Sequence, residues 1–303
     1  MKKLELDGVE VCWSWLSVRS YKAKSCSLML PVRPDNKDAA LAKYREAGFA
    51  GDYSGLRITG IRDLSFLSEF PDMLYLELSD EPVDPAHLEP LSNLRGLQVG
   101  GTRSGIDFSC FPQLESFFGS WHEGHRNLDQ LQELRHLGFG SFTSKTKDLT
   151  PLANITRLDR LDLRQPKVQS LDGIESLEDL QILDVYRATN LESLSALIHG
   201  MPGMRELSLY KCKKIRSYAP IASIERLRRL NLSDCVETAD LSWTKGMDYL
   251  DFFSFVDTKV VDGDLTPLLE LPRLRYVGSM NKRHHSHTCE QLMALLEEQR
   301  GGA

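Results

Sequence analysis

No run in this chain approaches the roughly 18 consecutive apolar residues that a membrane-crossing helix needs, so no transmembrane span is expected. The opening Met1-Lys2-Lys3-Leu4-Glu5-Leu6-Asp7 also lacks the apolar stretch of a secretory leader. Cysteine is sparse: the six, at positions 12, 26, 110, 212, 235 and 289, are scattered with no paired spacing. With no leader they read as reduced thiols and not as a disulfide framework, and a cytoplasmic location is expected. G-x-S-x-G, P-loop, G-x-G-x-x-G and H-E-x-x-H strings are all missing, so neither an enzyme nor a bound cofactor is expected. Positive charge is not in excess either. Lys plus Arg total 37 against 43 Asp plus Glu, a net charge of −6, which argues against a nucleic-acid binder.

What the chain does contain is repetition. Hydrophobic residues make up 41%, enough for a folded protein. They are arranged in a recurring six-residue phrase, seen clearly as Leu158-Asp159-Arg160-Leu161-Asp162-Leu163. About eleven copies start at 53, 73, 94, 114, 134, 158, 180, 204, 227, 247 and 274, in steps of 20, 21, 20, 20, 24, 22, 24, 23, 20 and 27 residues. A unit this short cannot bury its own apolar edge, so neighbours must stack to build a core. The phrase alternates apolar and polar residues as a half-buried strand does. A second apolar cluster follows it, as in Leu149, Pro151 and Leu152, too short for a three-turn helix and suited to a 3₁₀ turn.

The repeated L-x-x-L-x-L-x-x pattern resembles the leucine-rich-repeat family, over about Tyr53 to Asn281. Its spacing is similar to the short bacterial and phosphatase-regulator types. That resemblance implies an α/β leucine-rich-repeat solenoid: a curved parallel β-sheet with short or 3₁₀ convex turns. Residues 1–52 are expected to form an N-terminal β/α cap. There, Leu4–Leu6 and Val9–Trp15 would be strands joined by an Asp7-Gly8 turn. A third strand is expected over Ser25–Val32, ended by Pro31 and Pro34, and a helix over Asn36–Gly48. The array would occupy 53–283 and a C-terminal capping helix 284–303, opened by a Thr288…Gln291 capping box. With about 20 residues after the last repeat, the ligase domain that some bacterial members of that family carry is not expected. The family's ninth position is usually Asn. Here it is Thr102, His122, Ala188, Cys212 and Cys235, so the internal asparagine ladder is expected to be mostly missing.

With the leucines pointing inwards, the third, fifth, seventh and eighth positions line the concave sheet. In the middle and late repeats, up to the copy starting at Met247, these columns supply Phe118, Trp121, Arg160, Arg164, Tyr186, Arg187, Tyr210, Lys211, Arg229, Tyr249, Asp251 and Phe253. The early repeats offer Gly, Ser and Thr instead. Aromatic and Arg side chains where small ones would serve are the composition of an interface hot spot. Arg164, Tyr186, Arg187, Tyr210 and Lys211 would make a strip ~10 Å long beside Asp162, Asp184 and Asp251. Mixed charge of that kind suits a folded protein better than a phosphate backbone.

The expected function is a non-enzymatic module binding a protein partner on the concave face, leaning towards an inhibitor or immunity protein. An adaptor of an enzyme such as a phosphatase is the alternative. Two further readings compete: an effector site around Cys12, Trp13, Trp15 and Cys26, or RNA binding through Arg160, Arg164, Arg187, Lys211 and Arg229. His284, His285, His287 and Cys289 are the densest potential metal ligands, yet one short cluster lacks the spaced pairs of a firm zinc site. Cys212 and Cys235, at successive ladder positions, read as small buried residues filling the ladder.

Overall fold

A computed structural model describes residues 4–6, 9–13, 28–47, 55–79 and 82–301. The Asp7-Gly8 turn, Trp15, Cys26, Gly48 and Tyr53 therefore lie outside the described residues. The chain forms two compact units, residues 1–139 and 140–303.

In the first unit, β1 (Leu4–Leu6) pairs antiparallel with β2 (Val9–Trp13), Leu6 opposite Val9. β2 meets β3 (Leu28–Val32) antiparallel through Cys12–Met29 and Trp13–Leu28. β3 then runs parallel to β4 (Gly55–Ile58), with Leu30 opposite Leu56 and Val32 opposite Ile58. The sheet order continues through β5 (Tyr75–Leu78), β6 (Gly96–Val99), β7 (Ser116–Ser120) and β8 (His136–Gly140). Thus β3 is itself a rung of the parallel sheet, and helix α1 (Lys37–Ala47) supplies its outer half. α1 buries Ala40, Leu41 and Tyr44, the last edge-on to Phe70 at 5.5 Å. Pro31 does not end its strand as expected but sits inside it. β2 has stopped pairing by that point, so a missing N–H can be accommodated there.

The second unit contains six parallel strands: β9 (Arg160–Arg164), β10 (Ile182–Tyr186), β11 (Glu206–Tyr210), β12 (Arg229–Asn231), β13 (Phe252–Ser254) and β14 (Tyr276–Gly278). Inward leucines stack rung on rung. Leu158, Leu161 and Leu163 lie over Leu180, Leu183 and Val185, all fully buried. Helix α2 (Cys289–Gly301) closes this end with Leu292 and Leu296 buried. Its capping box is formed: the Thr288 N–H donates to Gln291 Oε1 at 2.8 Å and the Gln291 N–H to Thr288 Oγ1 at 3.2 Å.

Between strands, the outer segments are 3₁₀ turns, such as Thr150–Leu152, Ile174–Ser176 and Thr266–Glu270. Several are opened by an Asp whose carboxylate accepts the backbone N–H two residues on: Asp63 from Ser65, Asp107 from Ser109, Asp148 from Thr150, Asp240 from Ser242 and Asp264 from Thr266.

One repeat is phased differently from the sequence expectation. Phe252 pairs with Arg229 and Phe253 with Leu230, so this copy starts at Leu250 and not at Met247. The neighbouring steps are then 23 and 24 residues, and the expected irregular 20 and 27 disappear. Phe253 and Phe255 become core residues.

A second regularity follows the strands. The eighth residue of the six successive repeats from Leu134 to Leu250 has positive φ: Ser141 (55°), Gln165 (53°), Arg187 (57°), Lys211 (58°), Asp234 (54°) and Asp257 (58°). The ninth residue turns back into the core, and the missing asparagines have replacements. Thr258 Oγ1 accepts the Cys235 N–H at 2.8 Å and donates to Leu232 O at 2.5 Å. Cys235 Sγ donates to Leu209 O at 3.0 Å, and Cys212 Sγ lies 3.9 Å from Val185 O. In each case the acceptor is the sixth-position carbonyl of the preceding repeat.

Candidate functional site

The candidate surface is the sheet face turned away from the leucines. In the first unit it carries Phe118 of β7, half-buried, its ring edge-on to His136 of β8 at 4.5 Å. That ring lies across Gly138, where a Cβ would come within 2.2 Å of it, so glycine is what lets Phe118 lie down on the next strand. Trp121 departs from its expected place. Its indole packs 5.1 Å from Phe139 and 5.7 Å from His125, in a cluster that includes Phe108 and Phe117. The cluster draws the ring in because packing the indole against Phe139 and His125 outweighs leaving it on an open face.

His125 is the polar member of this cluster. Its Nδ1 accepts the Ile106 N–H at 3.0 Å, which leaves Nε2–H to donate to Ser120 O at 3.3 Å. Burial holds its pKa down to about 4, so it is neutral.

In the second unit the alternation of β9–β11 brings together most of the expected strip. Arg160 reaches two residues along its own strand to clasp Asp162, with Nε–Oδ2 and Nη2–Oδ1 both at 2.8 Å. On the next strand, Asp184 has its carboxyl pKa raised, first by burial and then by the charge of Asp162. The seventh column runs from exposed Arg164 to Tyr186 and Tyr210, whose rings stack at 5.3 Å and 18°. The left-handed turn after each strand swings the eighth residue beside its own tyrosine. Arg187 sits 5.9 Å from the Tyr186 ring centroid and Lys211 Nζ 5.2 Å from that of Tyr210. Lys211 also lies 3.8 Å from Asp234, which Lys213 pairs with as well. Those cations lower the Asp234 pKa, the Lys213 hydrogen bond most.

The remaining expected residues form a separate group on β12–β14. The Arg229 guanidinium lies 4.2 Å over Phe252, and Phe252 stacks parallel on Tyr276 at 4.6 Å and 6°. Tyr249, 40% exposed, carries Arg273 at 4.5 Å, and Asp251 is half-buried. Phe253 is not part of the surface. It is fully buried against Phe255 at 5.0 Å, and the surface ring in this repeat is its neighbour Phe252. Two adjacent phenylalanines give no polar alternation by which sequence could choose between them. Sequence reasoning also passed over Tyr276, although it occupies the third column of the last repeat.

The metal reading finds no support in the geometry. His284 Nε2 is 3.1 Å from Val260 O, His287 Nδ1 is 2.9 Å from Ser286 Oγ, and Cys289 Sγ faces Ser279. Among the described residues no three His, Cys, Asp or Glu side chains converge on a point that could hold an ion. Nor is any described helix long and apolar enough to cross a membrane.

No protein-family model and no characterised relative matches this sequence. Solved structures do match it. Internalin InlF from Listeria monocytogenes is similar over 76% of this chain and 68% of its own, at TM-score 0.55 and 18% identity. A TLR13–ssRNA13 complex is similar over 77% of this chain and 36% of its own, at TM-score 0.56 and 16% identity. At such identities the likeness speaks to fold. Together with the register of the strands, it makes this a leucine-rich-repeat solenoid.

Proposed function

We propose that this protein is a non-enzymatic binding module that grips a folded protein partner on the open sheet face of its second unit. The observation that carries this reading is the Tyr186–Tyr210 stack flanked by Arg187 and Lys211. Two large aromatic faces held by their own strands lose little side-chain freedom on binding, and the cations at their rim can choose among partners by charge. The acids Asp162, Asp184 and Asp234 interrupt the positive charge, which favours a protein over a nucleic-acid backbone. Within this class we favour a cytoplasmic inhibitor or immunity protein that covers a toxin or enzyme, with an adaptor of an enzyme such as a phosphatase as the alternative.

The test is to isolate the partner on the wild-type protein and titrate it against Tyr210→Ala and Arg187→Ala. Each variant should keep the wild-type circular dichroism spectrum and weaken binding by about 2 kcal/mol or more. Wild-type affinity in both would reject the assignment of this face.

A further inference from the structure

The leading edge of the last three strands is an arginine row. Before and at the start of β12 stand Arg226, Arg228 and Arg229; the matching places at β14 hold Arg273 and Arg275. The backbone locks these rows in step: the Asp251 N–H donates to Arg228 O and the Arg275 N–H to Asp251 O, both at 2.9 Å. With strands ~4.8 Å apart, the arginines flank a patch about 10 Å across. Arg226, Arg228, Arg273 and Arg275 are exposed, and among the described residues none of the four makes an ion pair. Arg205, one repeat earlier, has its pKa lowered, mainly by burial but also by the nearby charges of Arg226 and Arg228. Like charges are crowded here, and no acid pairs with Arg226, Arg228, Arg273 or Arg275 among the described residues. Asp251 and Glu206 lie within the patch, the latter 3.9 Å from Arg229, and the exposed Glu225 and Asp248 stand at its margin beside Arg226 and Tyr249.

Aromatic rings order this charge. Phe252 and Tyr276 cover one another's faces, and Arg229 and Arg273 lie over Phe252 and Tyr249. A guanidinium seated over a ring keeps N–H groups free to meet a carboxylate, which it can take bidentately. Single-stranded nucleic acid would need bare ring faces for its bases. Here most faces are occupied by a neighbour. Tyr249 and Tyr276, 40% and 47% exposed, offer ring edges and hydroxyls that suit apolar side chains between acids.

We infer that this arginine–aromatic edge docks an acidic segment of a protein partner, its carboxylates meeting Arg226, Arg228, Arg273 and Arg275 and its apolar residues meeting Tyr249 and Tyr276. This deepens the proposed protein-binding role and rests on it. It adds a second contact region, distinct from the Tyr186–Tyr210 strip, and names the chemistry of what binds there.

The experiment is fluorescence anisotropy on the full chain, with a labelled peptide of glutamate and aspartate punctuated by leucine as the probe. The wild type should bind it, with affinity falling as salt rises. The double variant Arg228→Glu/Arg275→Glu should bind about tenfold more weakly or worse, with an unchanged melting curve. Arg216→Glu, remote from the edge and paired with Glu192, should match the wild type. No binding by the wild type, equal binding by the double variant, or tighter binding of an oligouridine of equal charge would each overturn the inference. The salt titration of the wild type remains decisive even if the double variant fails to fold. The isolated partner separates the two proposals. If it is lost by Tyr210→Ala but retained by the double variant, the edge is wrong and the strip stands. If Tyr210→Ala and Arg187→Ala bind it normally, the strip falls while the peptide titration still decides the edge.

Discussion

Phe252 and Phe253 are adjacent and chemically identical, yet the register of β13 gives them opposite fates, and this makes the phase of the repeat measurable. Phe253 is fully buried with Phe255 at 5.0 Å and Trp243 at 6.1 Å. Truncating it to alanine removes the whole ring from the core and leaves a cavity that rigid neighbouring rungs cannot close. Substitutions of this kind cost about 3–5 kcal/mol. Phe252 makes a ring stack with Tyr276 and a cation–π contact with Arg229 on the open face. Such contacts contribute ~0.5–1.5 and ~0.5–1 kcal/mol, so Phe252→Ala should cost about 1–2.5 kcal/mol. Urea unfolding followed by circular dichroism reads both values. The midpoint of Phe253→Ala should fall clearly further than that of Phe252→Ala, with an unchanged slope. Equal costs, or the reverse order, would refute the Leu250 phase and with it the placement of the arginine–aromatic edge.

Acid sensitivity should arise from His125. Its folded pKa of about 4 lies below the ordinary 6.5, so its contribution is complete above pH 6.5 and is lost as pH falls towards 4, while the unfolded chain takes up the proton. Allowing for the partial exposure of the ring, wild type should lose about 2 kcal/mol between pH 7 and 4.5, and His125→Gln should lose much less; equal urea-midpoint shifts would rule this out. The ninth-position ladder makes a separate demand. Thr258→Val keeps the shape but strips the hydroxyl that serves Cys235 N–H and Leu232 O, and should cost about 1–3 kcal/mol in the same assay. A neutral result would mean the ladder hydrogen bonds do not matter.

Much of this architecture was readable in the chain because stacking needs repetition, and repetition is visible. Leu158, Leu161 and Leu163 announce both a strand and its inward face, and Thr288 with Gln291 announces the last helix. Legibility failed where residue type stopped discriminating. The Phe252-Phe253 pair allowed two phases, and only pairing with Arg229 and Leu230 fixes which ring is outside. Trp121 stood in a surface column by number, but the long-range cluster of Phe108, Phe117, Phe139 and His125 captured it. The recurring Asp-x-Ser/Thr at 63, 107, 148, 240 and 264 was available as a local signal for the 3₁₀ turns. The cysteine and threonine ladder was harder to foresee, since its hydrogen bonds depend on carbonyls more than twenty residues away.

The left-handed residue behind each of the strands β8–β13 carries a further consequence. Glycine or asparagine would sit there with less steric objection, yet at Arg187 and Lys211 the chain places long cationic side chains, accepting a strain of about 1 kcal/mol at each. Because the backbone pose recurs from rung to rung, a side chain exchanged at one such joint leaves the frame where it was. These joints are thus pegs of fixed direction on which the chemistry shown to a partner can be altered one residue at a time.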